Sequence, residues 1–140
     1  MYLPRLLTRA TDNWPKLIVN GKVDGAAWSH VRQAKNFQSN GFVGDVSSVD
    51  IRCNQFPGAK AQTASVNAGG TLGFQTNQAI YHAGPVQFYM AKVPEGSTID
   101  SWDGAGEVWF KTMTSGPSGG LTKWPSDSKH INTLSAGGFY

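Results

Sequence analysis

The sequence predicts an all-β fold, an immunoglobulin-like or fibronectin III-like β-sandwich with long loops, on three observations. Its 140 residues include 17 glycines and 7 prolines, enough turn-forming residues to divide the chain into short pieces. Charged residues make up 15% against 39% hydrophobic, whereas helical domains carry more Leu, Glu, Lys and Ala. Short runs with two-residue alternation recur between turn signals. At this length residues 1–140 make one domain with one core.

Taken in order, residues 2–13 show no clear period and receive no assignment. Lys16, Leu17, Ile18 and Val19 form a short apolar run closed by Asn20-Gly21, the pair that a type I′ hairpin turn favours. Residues 28–42 have a weak helical spacing at Trp28, Val31 and Ala34 that breaks at Ser39-Asn40-Gly41, and they read as a long surface loop. Residues 43–51 are expected to form a short strand and turn, with Asp45 and Ser47 or Ser48 capping nearby backbone N–H groups. Residues 61–66 read as extended, Asn67 to Gly70 turn the chain, and 71–76 return, which predicts a hairpin. In it Leu72 and Phe74 face the core and Gly73 lies opposite.

Residues 80–93 organise the functional reading. Val86, Phe88 and Met90 alternate with Gln87, Tyr89 and Ala91, which predicts a strand, and Gly84-Pro85 supplies the turn before it. His82 is thereby expected at a rim, where a stiff turn suits metal ligation; the alternative is a capping or surface histidine. Residues 94–106 read as a loop. In residues 107–114, Val108, Phe110 and Thr112 alternate with Trp109, Lys111 and Met113, which predicts another strand. A Gly/Ser/Pro linker over 115–120 and a last short strand over 129–134 complete the chain.

Composition narrows the function classes. The net charge is +3, but Lys and Arg are scattered, with no basic run interleaved with aromatics, so nucleic acid is not the expected partner. Five Trp, four Tyr and seven Phe in a weakly charged chain suit carbohydrate, whose apolar C–H faces stack on flat rings, although core filling also uses such residues. No run approaches the roughly 18 apolar residues that span a bilayer. The start lacks the apolar core and cleavage site of a signal peptide, and Cys53 alone makes no internal disulfide. The carboxylates of Asp100, Asp103 and Glu107 are close in sequence, as in a glycosidase pair or, alternatively, a loop shaped around Trp102. His30, His82 and His130 match no structural zinc spacing.

Four blocks carry a family resemblance. They are Asn40-Gly41-Phe42-Val43-Gly44-Asp45-Val46-Ser47-Ser48, Asp50-Ile51-Arg52-Cys53-Asn54, the run of residues 80–94 around His82, and Ser101-Trp102-Asp103-Gly104-Ala105-Gly106-Glu107-Val108-Trp109-Phe110-Lys111. In this order, across about residues 28–125, they resemble the fungal lytic polysaccharide monooxygenases of auxiliary activity family nine. The resemblance implies a secreted enzyme with a sandwich fold and one copper ion on a flat face. It implies oxidative cleavage of cellulose or another β-1,4-glucan by hydrogen abstraction at C1 or C4 with O₂ or H₂O₂. An external electron donor, a small reductant or cellobiose dehydrogenase, is implied as well.

By the same resemblance His82, in a His-x-Gly-Pro context, is the second imidazole of a histidine brace. Met1 stands at the place of the family's first histidine. Trp28, His30 and Asn36 fall in a segment resembling the substrate-side loop. The family's remaining strands, axial tyrosine and partner for Cys53 are expected beyond residue 140. A chain without them is expected to expose sheet edges, to self-associate, and to lose about 2–5 kcal/mol with the disulfide. The alternative function is a catalytically silent relative that binds polysaccharide or copper weakly.

Overall fold

The computed structural model describes residues 2–7, 13–39, 41–52, 54, 60–77, 85–115 and 134–135. Its regular elements are β1 (Tyr2–Leu7), β2 (Lys16–Val19), β3 (Lys22–Asp24), the 3₁₀ turn η1 (Val49–Arg52), β4 (Thr71–Gln75), β5 (Val86–Lys92), β6 (Trp109–Ser115) and β7 (Leu134–Ser135). They form two antiparallel sheets, ordered β1-β5-β6 and β3-β2-β4-β7. No helix among the described residues is long and apolar enough to cross a membrane.

Alternation along the strands joins the sheets. Leu17 and Phe74, paired across β2 and β4, meet Val86 and Phe88 of β5 in one core with Trp14. Phe74 and Phe88 stack with ring centroids 5.8 Å apart and planes 16° apart. Val86 and Phe88 are only 3% and 2% exposed, so β5 is locked at its beginning. Val19, Val31, Ala64, Leu72 and Met113 pack around this cluster.

The β2–β3 hairpin forms as expected. Asn20 (φ 49°) and Gly21 (φ 79°) both take the left-handed conformation of a type I′ turn. Asn20 also fixes β4, since its N–H donates to Thr71 O (2.9 Å) and its Oδ1 accepts from Thr71 N (2.9 Å).

Four elements differ from expectation. Residues 2–7 are a strand, β1, at one edge of the three-stranded sheet, and Pro4 within it suits an edge because proline lacks a ladder donor. Residues 61–66 do not form a hairpin with β4, whose two sides are taken by β2 and β7; the turn survives, with Gly70 N donating to Asn67 O at 3.0 Å. Residues 43–51 form a turn and η1 rather than a strand.

The fourth difference is in β6. Phe88 faces Met113 but Tyr89 faces Lys111, leaving Thr112 as an extra residue whose hydroxyl donates to Phe88 O (3.2 Å). This bulge reverses the phase of the strand, so Met113 reaches the core while Trp109, opposite Ala91, lies on the outer face. There Trp109 stacks on buried Trp102 (5.7 Å, 16°), and fully buried Ala91 shares this face. Gly104, at φ +82°, donates its carbonyl as acceptor to Trp109 Nε1 at 2.9 Å; a Cβ there would sit 3.3 Å from the indole.

Phe88→Ala is expected to lower unfolding free energy by about 3–5 kcal/mol in a denaturant titration, since it opens a cavity where the sheets meet. Gly104→Ala is expected to cost about 1 kcal/mol or more by the same measurement, from backbone strain and crowding of Trp109.

Candidate functional site

The chain crosses from one sheet to the other between β4 and β5, and His82 belongs to this crossing. His82 lies outside the described residues, as do Met1, Cys53 and His130. The two flanks are described and anchored. Upstream, Asn77 N donates to Asn13 O (3.3 Å), next to the core residue Trp14. Downstream, exposed Pro85 leads directly into buried Val86.

The long loop gathers at this end of the sandwich. Asn13 Nδ2 donates to Phe37 O (2.6 Å), and Trp28 N donates to Pro15 O (2.7 Å). Trp28 is held at φ 66°, unusual for a bulky residue, with its ring edge-on to Phe37 at 5.9 Å. Trp28 and Asn36 thus accompany the strand ends that flank residues 78–84.

Asn36 works within the loop. Its Nδ2 donates to Gly41 O (2.7 Å) and lies 3.4 Å from Asn54 Oδ1, while Asn54 Nδ2 also donates to Gly41 O (3.0 Å). Asn36 Oδ1 is buried with no hydrogen-bond partner. His30 is the one histidine among the described residues. Its ring is 14% exposed, with Nδ1 3.3 Å from Gln62 O and Nε2 3.5 Å from Asp24 Oδ2. These bonds link the end of β3 to residues 60–66, where Gln62 N also donates to Ser29 O (2.7 Å).

The acidic residues of the 94–106 loop shape it. Asp103 Oδ1 accepts from Ala105 N (2.8 Å), and its Oδ2 meets Arg52 Nη1 at 3.1 Å. Trp102 Nε1 donates to Ala105 O (3.2 Å). Among the described residues no group of three or more His, Cys, Asp or Glu is placed to hold a metal ion. Sequence reading missed the supporting residues Asn13, Asn54 and Gln62, because a carboxamide or carbonyl that closes a loop leaves no periodic signal. The asparagines flanking the breaks at residues 13 and 54 were the only cue.

The one displaced titration concerns Asp45. The Ser47 hydroxyl and backbone N–H, at 2.6 and 2.8 Å, hold its carboxyl below the ordinary 3.8. A depressed carboxyl pKa stabilises the turn above that ordinary value, and the contribution is lost as pH falls through the folded pKa. The Ser47 amide resonance is therefore expected to shift on acidification below about pH 4 and to stay put in Asp45→Asn. Asn36→Ala is expected to cost about 1–2 kcal/mol in thermal unfolding, by freeing the Gly41 carbonyl from one donor.

Comparison with known proteins agrees with this architecture. The model of Auxiliary Activity family 9 (formerly GH61) matches residues 12–136. The chain is 56% identical over 118 residues to AA9 family lytic polysaccharide monooxygenase H of Malbranchea cinnamomea, covering 81% of this chain and 50% of that protein. It is 50% identical over 107 residues to monooxygenase A of Thermothelomyces thermophilus, covering 75% and 48%. To monooxygenase E of Thermothielavioides terrestris it is 48% identical over 118 residues, covering 83% and 50%. The chain spans about half the length of these curated relatives. With the two-sheet fold and a match running through both flanks of the crossing, the chain belongs to Auxiliary Activity family 9.

Proposed function

We propose that this chain is the larger part of the catalytic unit of a secreted, copper-dependent monooxygenase that cleaves β-1,4-glucan, cellulose or a related polymer, by hydrogen abstraction at C1, C4 or both. The observation that carries this reading is the family match, which runs unbroken through residues 80–94. The fit of the metal is a matter of donor chemistry. A neutral imidazole at His82 binds both Cu(I) and Cu(II), as a redox-cycling ion requires. Met1 would offer a soft thioether, and its neighbour Tyr2 lies opposite Lys92, the end of β5 away from Val86. The proposal therefore rests on His82 and assigns Met1 no ligand role.

When bound, copper supplies the one-electron chemistry that activates O₂ or H₂O₂, with an external reductant as electron source. The chain's own residues orient and support. The anchored Asn77 and Val86 limit the reach of the seven residues 78–84, so His82 is presented without help from the metal. Trp28, His30 and Asn36 are proposed on the substrate side, Trp28 by stacking on a sugar face and His30 and Asn36 by holding the loop that carries it.

The test is incubation of the protein with copper, ascorbate and cellulose, followed by mass spectrometry of released oligosaccharides. Oxidised products are expected from the wild type and a loss of at least about 100-fold from His82→Ala. Equal product from both proteins would refute the role of His82.

A further inference from the structure

We infer that Phe42, backed by Val46 and Val49, is an accessory contact for a neutral β-glucan chain, an inference that rests on the polysaccharide reading above. Large hydrophobic side chains left exposed among the described residues concentrate here: Phe42 is 69%, Val46 61% and Val49 52% exposed within eight residues. A surface concentration of apolar groups marks a place where something binds.

The loop that carries them is braced on both sides of the ring. Before it, the Gly41 carbonyl is held by Asn36 and Asn54. After it, Asp45 accepts from the Ser47 N–H and hydroxyl, Ser48 N donates to Asp45 O (3.2 Å), and η1 begins at Val49. Phe42 is thus presented by a fixed backbone, which reduces the ordering cost of contact.

Chemistry selects the occupant. Asp45 is the one charged residue in 41–49, and its carboxylate is turned into its own turn, so the surface offers an aromatic ring, two valines and hydroxyls. A phosphate backbone finds no cation there. A neutral polymer whose rings have flat C–H faces and hydroxyl edges matches both components. The loop also belongs to the site's end of the sandwich, through Asn36 and the Phe37 carbonyl bound by Asn13.

The test measures depletion of protein from graded cellulose suspensions, using the full chain and Phe42→Ala, Phe42→Trp and Val23→Ala. Val23 is also exposed, at 48%, but lies outside the patch. Phe42→Ala is expected to bind about threefold to tenfold more weakly, with Phe42→Trp at least as tight as wild type and Val23→Ala unchanged. Sedimentation of each variant in parallel reads self-association. Wild-type binding with Phe42→Ala equally tight would overturn the inference and leave the polysaccharide reading standing. So would a Phe42→Ala effect confined to self-association, which would make a second copy the occupant. A wild type that fails to bind any β-glucan would overturn both.

Discussion

Contact between Phe74 and Phe88 is what makes two sheets into one domain. Each ring sits on a different sheet, and each is flanked by a buried aliphatic neighbour, Leu17 on one side and Val86 on the other. Neither sheet has enough apolar surface to be stable alone, since three or four short strands need a packed face. Once the stack forms, the start of β5 and the end of β4 are fixed, and the short crossing that contains His82 must run between two immobile points. The same contact that supplies stability therefore sets where the chemistry can occur.

Around this core the loops are held by side-chain amides and carbonyls rather than by ladders. Asn13, Asn36, Asn54 and Asn20 each close a loop onto distant backbone, and Asn20 and Asn54 take left-handed conformations that asparagine tolerates better than most residues. Trp28 reaches the same region of backbone space without that tolerance, and its N–H bond to Pro15 and its contact with Phe37 hold it there. On the outer face of the three-stranded sheet, the Trp102–Trp109 stack covers Ala91, and the partly exposed Arg52–Asp103 pair contributes little beyond orientation.

Much of this was legible in the residues. Asn20-Gly21 determines its hairpin because both conformations it needs are cheap for those two residues. Val86 and Phe88 announce β5 by period alone, and Leu72 and Phe74 announce the core face of β4. What the sequence could not disclose depends on partners distant in the chain. β4 pairs with β2 and β7 rather than with residues 61–66, although the turn between them is well formed. The inserted Thr112 sends Trp109 and Met113 to opposite faces, against the simple alternation of their positions. Tyr2 to Leu7 lack a period of their own because an edge strand is specified by the neighbour that pairs with it. For the site, His82 could be nominated from its turn and its resemblance, while the asparagine network that steadies Trp28 and Gly41 carries no local signature.

Membership in Auxiliary Activity family 9 and the anchored crossing together make a metal-bound imidazole at His82 the central claim. Continuous-wave electron paramagnetic resonance of the protein titrated with Cu(II) tests it most directly. One equivalent is expected to give a single tetragonal spectrum with nitrogen coupling that disappears in His82→Ala. A spectrum identical in the two proteins, or one indistinguishable from free aqueous copper, would contradict it.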